Sequence, residues 1–243
     1  MKVTVIGYWG AYPAAGSATS GYLFESDGFT MLVDCGSGVL SRLQQFKKVT
    51  DLDAVVLSHY HHDHIADIGA LQYACLVQNT LNETEEILPI YGHDEDSEKF
   101  QLLTHQYTEG VAYDPEGSLQ VGPFTIEFLK TVHPVSCYGM RITDGKGTAV
   151  YTADTSYFPE WADFAKQADL LITDTNFYKG MDGQGPGHMS SVEAAKIASK
   201  AEVGTLWLSH LPHFGQLVRL RQEAEDEFNG TIQLAEEGLS WSN

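Results

Sequence analysis

The chain has few basic residues for its length, and this shortage excludes one large class of proteins. Among its 243 residues, 14 Lys and Arg stand against 33 Asp and Glu, which gives a formal net charge of −19. Proteins that bind long nucleic acids neutralise phosphates with clustered Lys and Arg, and here the only adjacent basic pair is Lys47-Lys48. We therefore expect no long nucleic acid as a partner, whereas a small anionic substrate remains compatible with this composition.

Cysteines and long hydrophobic runs are also scarce. Cys35, Cys75 and Cys137 are odd in number and widely spaced, which argues against a disulfide framework and against a thiolate metal site. We therefore expect a reducing cytoplasm as the location. No apolar stretch approaches the length of a bilayer span, and Met1–Gly7 is typical of a first β-strand rather than of a signal peptide. We expect no membrane association.

What the chain does contain is a dense run of metal-ligand side chains, His59-Tyr60-His61-His62-Asp63-His64. It follows the apolar stretch 54–57 and precedes a predicted amphipathic helix. A strand that ends in a loop projects such side chains into one pocket, and imidazole and carboxylate groups bind Zn²⁺, Mn²⁺ or Fe²⁺. The run predicts a metal site, with His62 out of phase and facing away. The alternative is a His-rich surface loop without fixed geometry.

Further predicted strands end on a residue of the same kind. Strand 124–129 leads to His133, strand 148–151 to Asp154, and strand 205–208 to His210. Any one of these side chains alone has an ordinary structural interpretation. Together with His59, they predict that the strands lie side by side and converge on one edge. Asp34 and Ser58, also at strand ends, are predicted to hold ligand imidazoles by hydrogen bonds.

Helices separate the predicted strands. We predict helices over 64–77, from Pro159 through 165, and from Ser190 to near Gly204, where Ser190 and Glu193 form a capping-box pattern. Residues 79–122 are the least patterned, apart from a short strand at 88–91. Two sheets with helices outside both would accommodate this order of elements, which is an α/β arrangement.

These motifs resemble those of the metallo-β-lactamase superfamily of hydrolases, and the resemblance covers nearly the whole chain. It implies a four-layer αββα sandwich, formed here by a single domain over residues 1–243. The resemblance also implies two divalent metal ions, zinc in the first place, with manganese or iron as alternatives for an all-N/O ligand set. The residues that match the superfamily's ligands, in order and approximate spacing, are His59, His61 and His133 for one ion, Asp63, His64 and His210 for the other, and Asp154 as the bridge.

Within the superfamily, the chain is most similar to the branch that contains tRNase Z and its small phosphodiesterase relatives. The segments that carry this similarity are Met31–Gly38, Ala153-Asp154-Thr155 and Gly187-His188-Met189-Ser190. The basic arm with which tRNase Z grips tRNA has no clear counterpart here. Small relatives without the arm cleave cyclic nucleotides or similar phosphodiesters, and many members of the branch are homodimers.

The branch's motif also implies catalytic roles. His188 would be the general acid that protonates the departing oxygen, a task worth about 10²–10⁴-fold in rate. Its alternative interpretation is an ordinary residue of a Gly-rich loop. Asp63 is predicted to accept the nucleophile's proton, and Asp174, after strand 170–173, to orient and charge His188. His213 has two interpretations, contact with substrate at the rim of the site and packing beneath it.

The favoured function is therefore a dinuclear-metal-dependent phosphodiesterase that acts on a small phosphodiester or a cyclic nucleotide. Three alternatives remain open at this point. They are a lactone or thioester hydrolase that uses the same metals, a tRNA 3′-processing endonuclease, and a non-hydrolytic metal-binding protein of the same fold.

Overall fold

The computed structural model describes residues 1–243 and consists of fourteen β-strands, seven α-helices and one short 3₁₀-helix at Val49–Asp51. The strands are β1 (Lys2–Gly7), β2 (Gly21–Ser26), β3 (Phe29–Val33), β4 (Ala54–Val56), β5 (Leu88–Gly92), β6 (Thr108–Ala112), β7 (Ser118–Val121), β8 (Phe124–Lys130), β9 (Tyr138–Thr143), β10 (Thr148–Tyr151), β11 (Leu170–Asp174), β12 (Thr205–Ser209), β13 (Thr231–Leu234) and β14 (Ser240–Ser242). The helices are α1 (Val39–Leu43), α2 (His62–Ile65), α3 (Ile68–Asn82), α4 (Ser97–Gln101), α5 (Trp161–Phe164), α6 (Ser191–Ala201) and α7 (Leu217–Glu225). No helix has the length and apolar character that a bilayer crossing requires.

The strands form two seven-stranded sheets of the same design. The first has the order β14-β1-β2-β3-β4-β5-β6, and the second has the order β13-β12-β11-β10-β9-β8-β7. In each sheet the strands that come first in the chain pair antiparallel with one another. Parallel pairing begins at β3–β4 in the first sheet and at β10–β11 in the second. Because parallel strands end at the same edge of a sheet, the loops after β3, β4, β10, β11 and β12 gather at one end of the molecule.

Alternate residues of one strand enter different cores, and this alternation produces four layers. Ile172 of β11 is buried between the two sheets, whereas its neighbour Leu171 packs in the core beneath the outer helices. Val33 and Leu32 of β3 divide in the same way between the central core and the opposite outer core. Both faces of the central strands are therefore apolar, as in other sheets covered on both sides. The result is the αββα sandwich that the sequence predicted.

The helix predicted over 64–77 is wrong at both ends, because the chain forms α2 and then α3. Between them, the Asp67 N–H donates to the Cys35 carbonyl, and Asp67 Oδ2 accepts the Leu40 N–H at 2.9 Å. These bonds to the loop after β3 interrupt the helical ladder. At the other end, α3 continues to Asn82, and the Asn79 side chain pairs with the Glu86 backbone.

The region 79–122 is more ordered than its sequence pattern indicated. It contains α4, β6 and β7 in addition to the predicted strand, here β5. The strand β6 is a polar edge strand, Thr-Glu-Gly-Val-Ala, and it is specified by parallel pairing with β5 rather than by apolar alternation. The capping box at the start of α6 is confirmed, since Ser190 and Glu193 bond reciprocally.

Candidate metal centre

Loops from both sheets converge on one cluster of imidazoles and carboxylates. The first sheet contributes the segment after β4, and the second contributes single residues after β8, β10 and β12. The prediction that the strands lie side by side is wrong for these three, because β9 and β11 separate them in the sheet. All seven predicted ligands belong to the cluster, in two groups that share Asp154. Within each group, one ligand atom per residue lies within 4.8 Å of the others. These groups are His59, His61, His133 and Asp154 on one side, and Asp63, His64, His210 and Asp154 on the other.

The first group faces one oxygen of Asp154. Oδ2 of Asp154 lies 3.7 Å from Nε2 of His59 and 3.8 Å from Nε2 of His133. Nδ1 of His61 completes the group, 3.0 Å from Nε2 of His133. Three imidazole nitrogens and a carboxylate oxygen form a donor set that suits zinc, manganese or iron.

The second group faces the other oxygen of the same carboxylate. Oδ1 of Asp154 lies 3.2 Å from Nε2 of His64 and 3.4 Å from Nε2 of His210. Oδ2 of Asp63 lies 3.1 Å from that His210 nitrogen. The carboxylate of Asp154 therefore has one oxygen directed at each group, which is the arrangement that a bridging ligand needs.

Hydrogen bonds on the far side of the rings fix which nitrogen points inward. The outer Nδ1 atoms of His59, His133 and His64 contact the Ser58 hydroxyl at 3.0 Å, the Gly187 carbonyl at 3.0 Å and the Asp34 carboxylate at 2.7 Å, respectively. Donation of the Nδ1 proton to these acceptors leaves a lone pair on each inner Nε2, as metal-ligating histidines require. Sequence reasoning identified Asp34 and Ser58 for this role but missed the Gly187 carbonyl, a backbone group without a residue-type signal.

Three of the inner atoms are unsatisfied, and this bears directly on whether ions fit here. Nε2 of His59, Nε2 of His64 and Oδ1 of Asp154 are buried and have no hydrogen-bond partner. Buried polar atoms without a partner cost free energy, and a cation bound among lone pairs removes that cost. The donor set and its unsatisfied atoms thus fit divalent ions.

Asp34 lies on the outer side of the rings and is connected by hydrogen bonds to one imidazole of each group. Its Oδ2 accepts hydrogen bonds from Nδ1 of His64 at 2.7 Å, from the Tyr151 hydroxyl at 2.8 Å and from the Ser58 hydroxyl at 2.8 Å. The same Ser58 hydroxyl contacts His59. One fully buried carboxylate therefore orients an imidazole of each group.

Replacing Asp34 by asparagine is expected to weaken metal binding by about 10–100-fold, because outer hydrogen-bond partners contribute that much to ligand orientation and basicity. Competition with a chromogenic chelator measures the affinity, and thermal unfolding of the metal-free proteins monitors folding. The matched control is Asp53→Asn, since Asp53 accepts the Thr30 N–H at the opposite end of β4. Equal affinity of the Asp34 variant and the wild type would contradict the assigned role.

Backbone strain concentrates at this edge. Four non-glycine residues at or next to the cluster have positive φ: Ala11 (63°), Asp34 (58°), Ala153 (52°) and His210 (50°). Residues other than glycine disfavour this left-handed region, and each residue held there costs about 1–3 kcal/mol of folding free energy. Two of these positions bear directly on the cluster, because Ala153 precedes Asp154 and His210 is itself one of the four.

The loop after β1 supplies a contact that the sequence did not reveal. The Ala11 N–H donates to Oδ2 of Asp63 at 2.8 Å. The loop is held by an aromatic sandwich in which the His213 ring stacks between Trp9, at a centroid distance of 4.6 Å, and Tyr12, at 3.8 Å. His213 thus packs against the loop at the rim of the site and is not a member of either ligand group.

His188 lies beside the cluster, between His133 and His210, with ring centroids 5.4 Å and 5.1 Å away. Its Nδ1 donates to Oδ2 of Asp174 at 2.7 Å. Burial opposes the charged form of His188, but the Asp174 carboxylate outweighs it and raises the pKa of the imidazole above its usual value. The other oxygen of Asp174 lies 3.4 Å from Nδ1 of His210. Asp174, which ends β11, therefore contacts both the predicted acid and a predicted ligand.

Comparison with known proteins identifies the family of the chain. Residues 30–211 match the β-lactamase superfamily domain. The probable metallo-hydrolase YhfI of Bacillus subtilis is 58% identical over 242 residues, which cover 99% of each chain. The crystal structure of the YhfI metallo-β-lactamase fold protein superposes with a TM-score of 0.98 at 56% identity, over 99% of this chain and 98% of that one.

More distant structures share the fold. A diphosphatase of the PhnP family superposes with a TM-score of 0.79 at 20% identity, over 100% of this chain and 97% of the other. The short form of human tRNase Z superposes with a TM-score of 0.77 at 21% identity, over 100% and 99% of the two chains. On its domain match and its close relative, the chain belongs to the metallo-β-lactamase superfamily of hydrolases.

Proposed function

We propose that the protein is a dinuclear-metal-dependent phosphodiesterase that acts on a small phosphodiester, such as a cyclic or linear nucleotide. The observation that carries the proposal is the His188–Asp174 pair next to the two groups of side chains that could hold metal ions. In this proposal the two groups that share Asp154 each hold one divalent ion, zinc in the first place and manganese or iron otherwise. Bound there, the ions supply Lewis acidity and lower the pKa of water toward neutrality.

The residues of the chain move the protons. His188 donates a proton to the departing oxygen. Because the ionised Asp174 accepts the hydrogen bond from Nδ1 of His188, Nε2 of His188 is the atom that donates this proton. Asp63 accepts the proton of the attacking water. Its Oδ2 is engaged by Ala11 and His210, so we assign the transfer to Oδ1.

A positioned acid favours phosphodiesters over thioesters. The alkoxide that leaves a phosphodiester is a strong base and needs a proton, whereas the thiolate of a thioester is a stable anion. The net charge of −19 also disfavours tRNA relative to a small anionic substrate, because long nucleic acids bind through many neutralised phosphates. The three cysteines are free and buried, which supports our proposal of a reducing, cytoplasmic location.

Turnover of bis(4-nitrophenyl) phosphate by the metal-loaded protein tests the proposal. We expect nitrophenol release that chelation abolishes and that added Zn²⁺ or Mn²⁺ restores, since ions at this site supply several kcal/mol of charge stabilisation. Absorbance at the nitrophenolate band measures the rate, with metal content determined on the same samples. Absence of release from protein that holds two ions would reject a phosphodiesterase and favour lactone or thioester substrates.

A further inference from the structure

Residues 178–190, which connect Phe177 to α6, carry two parts of the candidate site, and we call this segment the acid loop. It contains His188, and the carbonyl of Gly187 lies 3.0 Å from Nδ1 of His133. Gly187 has a φ of 80°, and a Cβ at this position would lie only 2.7 Å from the same His133 nitrogen. The contacts that hold the acid loop therefore set the place of the acid and of one ligand imidazole.

Two kinds of contact hold the base of the acid loop. The Phe177 N–H donates to the Met189 carbonyl, and the Ser191 N–H donates to the Phe177 carbonyl, both at 3.0 Å. The side chains of Tyr178 and Met189 are buried in the core beneath the outer helices. The backbone bonds join the two ends of the loop to each other, and apolar packing is non-directional. A directional attachment of the base to the outer helices therefore has to come from a polar group.

Glu223 of α7 is a buried carboxylate that the proposed chemistry does not use. Only 8% of its surface is exposed, and its neighbours on the inner face of the helix are the buried apolar residues Leu220 and Ala224. Carboxylates are almost never buried unless they are paired. The partners of Glu223 should therefore explain why the inner face of α7 carries a charge at this position.

The partners of Glu223 include both ends of the acid loop. Its Oε2 accepts the Lys179 N–H and the Ser191 hydroxyl, each at 2.7 Å, and its Oε1 accepts Nε–H of Arg219 at 2.7 Å. Burial opposes ionisation of Glu223, but these three donors outweigh it and lower the pKa of the carboxyl below its usual value. Hydrogen bonds to an ionised acceptor are stronger than those between neutral groups. One carboxylate thus joins both ends of the loop to α7.

We propose that Glu223 is a positioning residue that fixes both ends of the acid loop to α7 and thereby sets the place of His188 beside the cluster. The inference rests on the proposed function, in which His188 is the general acid. None of the three donors to Glu223 belongs to a ligand group, so Glu223 acts through the loop. A displacement of a catalytic group by about 1 Å can cost about 10²-fold in rate, and release of the loop ends would allow such a displacement.

Methyl phenyl phosphate and methyl 4-nitrophenyl phosphate test the inference, because they differ only in the basicity of the departing oxygen. Glu223→Ala should lower kcat by at least about tenfold for the phenyl ester and by no more than about threefold for the nitrophenyl ester. Glu223→Gln, which keeps one acceptor oxygen, should give rates between those of the wild type and Glu223→Ala. In a His188→Ala background, Glu223→Ala should cause no further loss, because residues that act through one group are not additive.

Glu225→Ala is the matched control, since Glu225 is exposed, lies on the same helix and also pairs with the arginine four residues before it, Arg221. Metal content and Tm are measured for every protein. Unchanged rates in Glu223→Ala, equal losses on both esters, or a further loss in the His188→Ala background would overturn the inference while the phosphodiesterase stands.

If the metal-loaded wild type cleaves neither ester, the proposed function fails, and amide hydrogen exchange of residues 178–190 decides the inference. Exchange reports local opening of a segment independently of turnover. Faster exchange in Glu223→Ala than in both the wild type and Glu225→Ala would support the attachment of the acid loop by Glu223, whereas unchanged exchange would overturn it.

Discussion

Replacing Asp154 by asparagine is expected to reduce kcat/KM on bis(4-nitrophenyl) phosphate by on the order of 10³ or more and to lower the metal content from about two ions per chain to about one or fewer. Burial opposes ionisation of Asp154, but the imidazoles of His210, His64 and His59 outweigh it and hold the pKa of the carboxyl well below its usual range. The native group is therefore an anion with one oxygen for each ligand group. An amide is neutral and offers only one oxygen.

Elemental analysis and initial rates on the same preparation measure both effects. The matched control is Asp169→Asn, because the exposed Asp169 accepts the Thr148 N–H at the opposite end of the same strands. This control should keep both metal and turnover. An Asp154 variant that retained two ions and wild-type rates would show that the carboxylate does not bridge, and the dinuclear assignment would then fail.

Replacing His188 by alanine is expected to slow diester hydrolysis by about 10²–10⁴-fold when the leaving group is an alkoxide, and far less when it is 4-nitrophenolate. The reason is that a general acid matters in proportion to the basicity of the departing oxygen. Rates for a series of alkyl and aryl diesters measure this dependence, and a steeper dependence on leaving-group basicity in the variant is the signature of a lost acid.

The metal content of the His188 variant distinguishes a role of His188 as general acid from a role as metal ligand. His188 lies in a third group of possible ligand atoms with Asp154, Asp174 and His210, so a bound ion is the competing explanation for any loss of activity. We expect unchanged metal content, with His105→Ala as the control. A loss of metal, or an equal loss of rate for every leaving group, would contradict the acid role.

The architecture was predictable because the candidate site residues of this fold directly follow the ends of strands. His59, His133, Asp154 and His210 each follow a predicted strand, and strands of one sheet that run in the same direction end at the same edge. The sequence therefore identified the residues that meet at the edge, and also the orientation of ligand rings by Asp34. The assignment of these residues as ligands and of His188 as an acid remains a proposal.

Other features depended on tertiary contacts that no local pattern encodes. The break between α2 and α3 follows from bonds between Asp67 and the loop after β3, while the sequence itself continues a helical pattern. The Ala11 N–H reaches Asp63 across 52 positions of sequence, and a backbone donor has no residue-type signature.

The left-handed backbone at Ala11, Asp34, Ala153 and His210 has a consequence for engineering the protein. Natural proteins lie only slightly above the stability that function requires, and active sites that store strain are where stability and activity trade against each other. Selection for heat resistance alone would favour substitutions that relax these four positions and release about 1–3 kcal/mol at each. At Asp34 and His210 such a substitution removes a side chain that belongs to the site, so stabilising changes should be sought in the outer helices instead.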